Sequence, residues 1–273
     1  MALKFFNRKL NVIVGTRIFS LDNYKIQFNC PFSADSTPSV ANVKIYNVSN
    51  GTIGTMTKGT QVSINAGYGA ELGLIFKGEI VTATPKKVGV DSYVELKIQD
   101  TTDEYLKNNF TKTYGAGVHA ITIVNDLINF SGLQKISATL GKDYIFTEEK
   151  AIDTTVISAL KEIATLTESV IVTNNGTIKL RPANEVTGTA QLLSEKTGLI
   201  DSPQRVEQET TNADDVDVES GYKIKTLLNS KFGPDTLISV QSNELTGNFR
   251  ITKGKHYGSN SSDYYSEFET EEL

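Results

Sequence analysis

Cysteine is almost missing from this chain: Cys30 is the single thiol in 273 residues. A lone cysteine forms no internal disulfide and no Cys-type zinc site. Histidine is nearly as scarce, His119 and His256 being the two, too few for a His-rich catalytic metal centre. Tryptophan is absent. No run approaches the roughly 20 consecutive apolar residues that span a bilayer, so no membrane anchor is expected. The opening residues, Met1-Ala2-Leu3-Lys4-Phe5-Phe6-Asn7-Arg8, contain no apolar core or cleavage site of a secretory signal, and the expectation is a chain that folds in the cytosol. Positive charge is in deficit, with 27 Lys and Arg against 32 Asp and Glu and a net charge of −5. Such a balance argues against a dedicated nucleic-acid binder, because tight binding to phosphates needs clustered cations. It disfavours an enzyme without excluding one built on carboxylates.

What is present is a foldable mixture. At 38% apolar and 22% charged residues the chain is neither disordered nor fibrous, and its length suits one large domain or two to three small ones. Residues 1–100 read as strands. Tyr24, Ile26 and Phe28 alternate with Lys25, Gln27 and Asn29; Val43 and Ile45 continue the pattern, and Val62 and Ile64 alternate with Gln61, Ser63 and Asn65. Period-2 alternation with frequent turns predicts an antiparallel barrel or sandwich.

The period changes after Asp100. Val118, Ile121, Val124, Leu127 and Ile128 have helical spacing with a Ser131-Gly132 stop. A second helix follows Asp153 as N-cap, with Val156, Ile157, Leu160, Ile163, Ala164 and Thr167 as its buried stripe. Asn174-Asn175-Gly176 between Val170-Ile171-Val172 and Ile178-Lys179-Leu180 predicts a tight hairpin. Residues 201–220 carry seven carboxylates and one cation, Arg205, and read as a solvated connector or loop. Strands resume at Tyr222. The predicted fold is mainly β with a small α/β insert: a β-barrel-like domain at 1–100, an α/β domain at 101–197 and a second β-barrel-like domain at 198–273.

The two β regions echo each other. Lys44-Ile45-Tyr46-Asn47-Val48 leads to a strand at Gln61-Val62-Ser63-Ile64, as Lys223-Ile224-Lys225-Thr226-Leu227 leads to Leu237-Ile238. Glycines follow at matching offsets, Gly78 and Gly89 in one and Gly247 and Gly258 in the other. Either one small β unit is used twice, or both regions share the strand–Gly–strand grammar of any small antiparallel domain. A duplicated unit in a trimer would present six similar faces around one axis.

The ordered set of these segments carries a family resemblance. Val40-Ala41-Asn42-Val43-Lys44-Ile45, Lys58-Gly59-Thr60-Gln61-Val62-Ser63-Ile64 and Gly73-Leu74-Ile75-Phe76-Lys77-Gly78 are followed by Thr197-Gly198-Leu199-Ile200-Asp201-Ser202-Pro203, Gly221-Tyr222-Lys223-Ile224 and His256-Tyr257-Gly258. The set resembles the late-control-protein-D-like hub proteins of the bacteriophage tail baseplate. That resemblance implies a non-enzymatic homotrimer in the virion tail, assembled in the bacterial host cytoplasm. It would join the sixfold tail tube to a threefold spike or tail tip, with DNA passing through its channel without specific binding. Relatives often carry a tryptophan in the last strand, where this chain has Tyr264-Tyr265. The chain closes at Leu273 without a lytic or spike extension, so cell-wall cleavage is expected from another polypeptide.

No catalytic, cofactor or metal residue is assigned. His256 has no second His or Cys nearby in sequence and reads as structural, and His119 as a capping or surface histidine. Gly115-Ala116-Gly117 lacks the third glycine and the Lys-Ser/Thr pair of a phosphate loop. Asp214-Asp215-Val216-Asp217-Val218-Glu219 is the sharpest acidic cluster, but it departs from the calcium-loop template and reads as a solvated loop. Tyr257, Tyr264, Tyr265 and Phe268 suggest either a carbohydrate-stacking face or packing. Cys30 reads as a buried hydrophobe. Two competing readings remain: a tail-tip cell-wall hydrolase using paired carboxylates, and a carbohydrate-binding receptor or distal tail module.

Overall fold

The computed structural model describes residues 6–34, 39–100, 106–185, 189–212 and 215–273, with the backbone alone between 207 and 220. The chain divides into two compact units: one gathers Met1–Ser33, Ser39–Asp100 and Gly188–Leu273, and the other Ala34–Pro38 and Thr101–Thr187.

The first unit opens with β1 (Arg8–Val14), β2 (Arg17–Ser20), β3 (Ile26–Ser33), β4 (Val40–Tyr46), a single helical turn α1 (Asn50–Ile53), β5 (Gln61–Tyr68), β6 (Glu71–Val88) and β7 (Asp91–Gln99). Alternation decides which side chains turn inward. Ile26, Phe28, Cys30 and Phe32 of β3 are buried, as are Ala41, Val43 and Ile45 of β4 and Val94, Leu96 and Ile98 of β7. These residues, with Leu10, Val12, Val62 and Ile64 from β1 and β5, form one apolar cluster, Phe32 excepted.

The second unit contains β8 (Asn109–Tyr114), β9 (Val118–His119), α2 (Ala120–Ser131), β10 (Gln134–Ala138), β11 (Ile145–Phe146), β12 (Lys150–Thr155), α3 (Val156–Leu166), β13 (Ser169–Asn174) and β14 (Thr177–Pro182). Both expected helices and the expected hairpin are present, with adjustments. The buried side of α2 includes Ile123, and Ile121 is only half-buried. The α3 cap is Thr155, whose hydroxyl accepts from Ser158 N–H at 3.3 Å. Asp153 instead lies within β12, paired with β8, and accepts from the Thr111 hydroxyl at 2.8 Å. Asn175 and Gly176 both have positive φ, 52° and 81°, as the tight hairpin turn requires.

The chain then returns to the first unit with β15 (Gln191–Leu193), β16 (Gln204–Asn212), β17 (Asp215–Leu227), β18 (Leu237–Gln241), β19 (Thr246–Ser259) and β20 (Tyr264–Glu272). The acidic stretch expected as a loop therefore carries β16 and β17, paired from Gln204↔Lys223 to Asn212↔Asp215. Main-chain pairing supplies this ladder, and side-chain charge does not prevent it. Ile224, Phe232, Ile238, Val240, Ile251 and Phe268 form this region's own apolar cluster, which Phe32 of β3 joins.

The expected pair of β-barrel-like domains is not what forms. One 13-stranded sheet runs β16-β17-β20-β19-β3-β4-β7-β6-β5-β1-β2, with β18 and β15 branching from β19. It has open ends, and among the described residues no sheet closes into a barrel. The cause is β3, which gives one edge to β4 and the other to β19. That double use fuses the two β regions into a single open sheet.

Candidate functional site

The residues that sequence reasoning considered for chemistry are dispersed. His256 lies in β19, fully enclosed beside the Phe32 ring at 5.0 Å. Its Nδ1 accepts from the Ser266 hydroxyl at 2.8 Å, and Ser266 Oγ accepts from Asn229 N–H at 3.1 Å. Burial pushes its pKa down to about 4 against a hydrogen bond to the Phe232 carbonyl. A neutral imidazole thus pins the β17–β18 connection onto the sheet. His119 is half-exposed, contacts Asp143 at 3.1 Å and makes no side-chain cap bond to α2. Cys30 is enclosed, and burial pushes its thiol pKa up, leaving it protonated and unreactive.

Gly117 N–H, in the glycine-containing turn, is taken by the Phe146 carbonyl at 2.7 Å and is not offered to a phosphate. Asp214 and the side chains of Asp215, Asp217 and Glu219 lie outside the described residues. No group of three or more His, Cys, Asp or Glu suited to a metal ion occurs among the described residues. The four aromatics do not share a face. Tyr264 and Phe268 are buried, whereas Tyr257 and Tyr265 meet edge-to-face at 6.0 Å on the opposite side of the sheet. Strand alternation separates them. A cleft of about 140 Å³ is lined in part by Glu195, Asp201, Ser202 and Glu244. That is well below the roughly 300 Å³ at which ligand pockets begin.

The feature that stands out is the sheet itself. In the first half β4 pairs with β7, β7 with β6, and β6 with β5. In the second half β17 pairs with β20, β20 with β19, and β19 with β18. The bulges agree too: Ile80↔Ile98 is followed by Thr82↔Lys97, as Ile251↔Thr270 is followed by Lys253↔Glu269. Counting from the bulge, Tyr93 corresponds to Tyr265, Glu95 to Glu267 and Lys44 to Lys225. The chemistry repeats with the register. Lys44 lies over the Tyr93 ring at 5.6 Å and Lys225 over the Tyr265 ring at 4.7 Å.

Each central glutamate also has two lysines beside it, Glu95 having Lys44 and Lys86 and Glu267 having Lys223 and Lys255, but these lysines stand at different register positions, and Lys225 itself pairs with Asp201. The hydrogen bond from Lys86 holds the Glu95 carboxyl below its usual range. The echo heard in the sequence is thus a repeated four-strand block, displaced by two residues from the Lys44–Lys223 pairing that the sequence suggested.

Sequence reasoning missed two polar arrangements that fix this unit. Arg250 and Asp235 are both buried and pair at 2.7 Å, with Glu271 on the Arg250 Nε at 3.3 Å. Tyr264 donates its hydroxyl to the Lys9 carbonyl at 2.5 Å and accepts from Gly67 N–H at 3.2 Å, tying β20 to β1 and β5. The positive φ of Asp235, 65°, has no sequence signal beyond the preceding Gly233-Pro234 turn.

Known structures share this architecture. A tail protein from Neisseria meningitidis MC58 superposes with a TM-score of 0.68 over 98% of this chain and 97% of its own, at 10% identity. The chain has the fold of phage tail proteins. A second tail-protein match, the 43 kDa protein of prophage MuSo2 from Shewanella oneidensis, gives 0.67 over 97% and 96% at 8% identity. The c3393 protein of E. coli, a type VI secretion component with structural similarity to the T4 tail proteins gp27 and gp5, gives 0.61 over 91% and 73% at 11% identity. No protein-family model matches the chain, and no curated protein matches it by sequence. The tail-protein fold is therefore carried by strand order and register with little shared sequence.

Proposed function

We propose that this chain is a structural component of a phage or phage-like tail, acting as a homotrimeric baseplate hub without a chemical step. Three copies would join the sixfold tail tube to a threefold spike or tail tip, around a channel that DNA crosses without specific binding. The observation that carries this reading is the four-strand block repeated with its bulge and with its lysine over a tyrosine ring. Three chains with two such blocks each supply six similar units, so a threefold assembly meets a sixfold partner without gross mismatch. The likeness to tail proteins along nearly the whole chain supports a place in the virion tail. The same likeness favours this reading over a carboxylate-based cell-wall hydrolase, which loss of turbidity on purified cell walls would reveal. Light scattering on the purified chain tests it: a mass three times 29.8 kDa supports the trimer, and a monomer at tens of micromolar overturns it.

A further inference from the structure

Within one chain the two blocks are joined by a specific strand contact, and the two halves of an equivalent contact lie unused in the sheet, one along β16 at its end and one along the part of β6 that extends past β5. Beyond its bulge, β19 pairs residues 253–259 with β3. The corresponding stretch of β6, residues 82–88, pairs with β7 on one edge and with no described strand on the other. The counterpart of β3 is β16, since β16 pairs with β17 as β3 pairs with β4, and β16 ends the sheet. We propose that residues 82–88 of β6 pair antiparallel with β16 of a second copy of this chain, repeating between protomers the β19–β3 junction found within one. This rests on the trimeric-hub reading and names its contact.

The register follows from the ladders. Thr82 corresponds to Lys253 across the shared bulge, and Asn29 corresponds to Gln204 when the β3–β4 and β16–β17 pairings are aligned. In the internal junction Lys255 faces Pro31 and Tyr257 faces Asn29. Carried over, Thr84 faces the partner's Val206 and Lys86 faces the partner's Gln204.

A second observation agrees. In the internal junction the β19–β20 turn is clamped to the segment before β3: Asn260 donates to the Leu21 and Tyr24 carbonyls at 3.1 and 2.9 Å and accepts from Ile26 N–H at 2.7 Å. The corresponding β6–β7 turn ends in Val88 and Val90, which are 65% and 97% exposed. The segment before β16, where this turn would land, exposes Ile200 at 38%. Two apolar surfaces left open in one chain thus meet when the junction is repeated. Pro85 limits the ladder. Hydrogen-bond alternation from Asn47 N–H to the Ser92 carbonyl turns its nitrogen to the open edge of β6. Opposite the partner's Arg205 it can accept through its carbonyl but not donate, so the proposed pairing forgoes one hydrogen bond there, and the same missing donor discourages indiscriminate strand addition. A head-to-tail contact of this kind closes into a ring when its rotation divides the circle.

Disulfide trapping decides the matter. Thr84 and Val206 would face each other as a non-hydrogen-bonded pair, whose Cα separation of about 4.5 Å suits a disulfide, and the buried Cys30 stays out of the reaction. The Thr84→Cys/Val206→Cys chain, oxidised and run without reductant, should give covalently closed three-chain species. Thr82→Cys/Val206→Cys, two residues out of register, should crosslink at least tenfold less. A variant that keeps a three-chain mass but forms no matched crosslink overturns the strand pairing and leaves the trimer standing. Equal crosslinking of both pairs also overturns the register. A monomeric mass for the unmodified chain overturns the trimer and the pairing together.

Discussion

Acidification should weaken the first unit, and one residue contributes a separable share of the loss. His256 is neutral in the folded chain, with a pKa lowered from 6.5 to about 4 by burial. Protonating it would turn Nδ1 into a donor facing Ser266 Oγ, a hydroxyl whose own proton now serves that nitrogen and which already accepts from Asn229. The unfolded chain therefore takes up the proton first. This contribution is whole above about pH 6.5 and is lost progressively as pH falls towards 4. At about 1.4 kcal/mol per pH unit the full loss is about 3 kcal/mol, of which about 2.5 kcal/mol is gone by pH 4.5. Urea unfolding at fixed protein concentration, followed by circular dichroism from pH 7.5 to 4.5, measures it. His256→Asn removes the titration and should flatten the profile by that amount, although the variant starts less stable. Parallel profiles for the two proteins would refute the reasoning.

Three further substitutions probe the sheet, and a fourth, in α1, is their control. Tyr264→Phe withdraws the hydroxyl shared by Lys9 and Gly67 and should cost about 1–3 kcal/mol in urea unfolding. Arg250→Met removes the cation facing buried Asp235 and should cost about 3–5 kcal/mol by the same assay. A Cβ at Gly221 would sit 1.7 Å from the Thr270 carbonyl oxygen, so Gly221→Ala should push β17 from β20 and cost about 1–3 kcal/mol. Gly51→Ala, with open space around it, should leave the urea midpoint within experimental error.

Individual strands were legible because alternation is local: Ile26, Phe28 and Cys30 announce their inward face without reference to the rest of the chain. The partner of a strand is not local. That β3 gives its second edge to β19, more than 200 residues away, is set by the register of the whole sheet, and so two closed β domains were expected where one open sheet forms. The α3 cap shows the same limit on a small scale. Asp153 and Thr155 are both good N-caps, and the pairing of β12 with β8 through Thr155 settles which one serves. Net charge misled at 201–220, because backbone pairing builds a ladder through an acidic sequence. The repeat was audible in the spacing of lysines, glycines and apolar residues, but its true register needed the two bulges. The buried Arg250–Asp235 pair had no signal, since neither residue's neighbours mark it as enclosed.

Electron-microscope class averages of the purified chain, viewed down the assembly axis, test the central claim most directly. The account predicts rings in which three copies show as six similar lobes around an open centre. Rings with three lobes, or particles without a central opening, would contradict it.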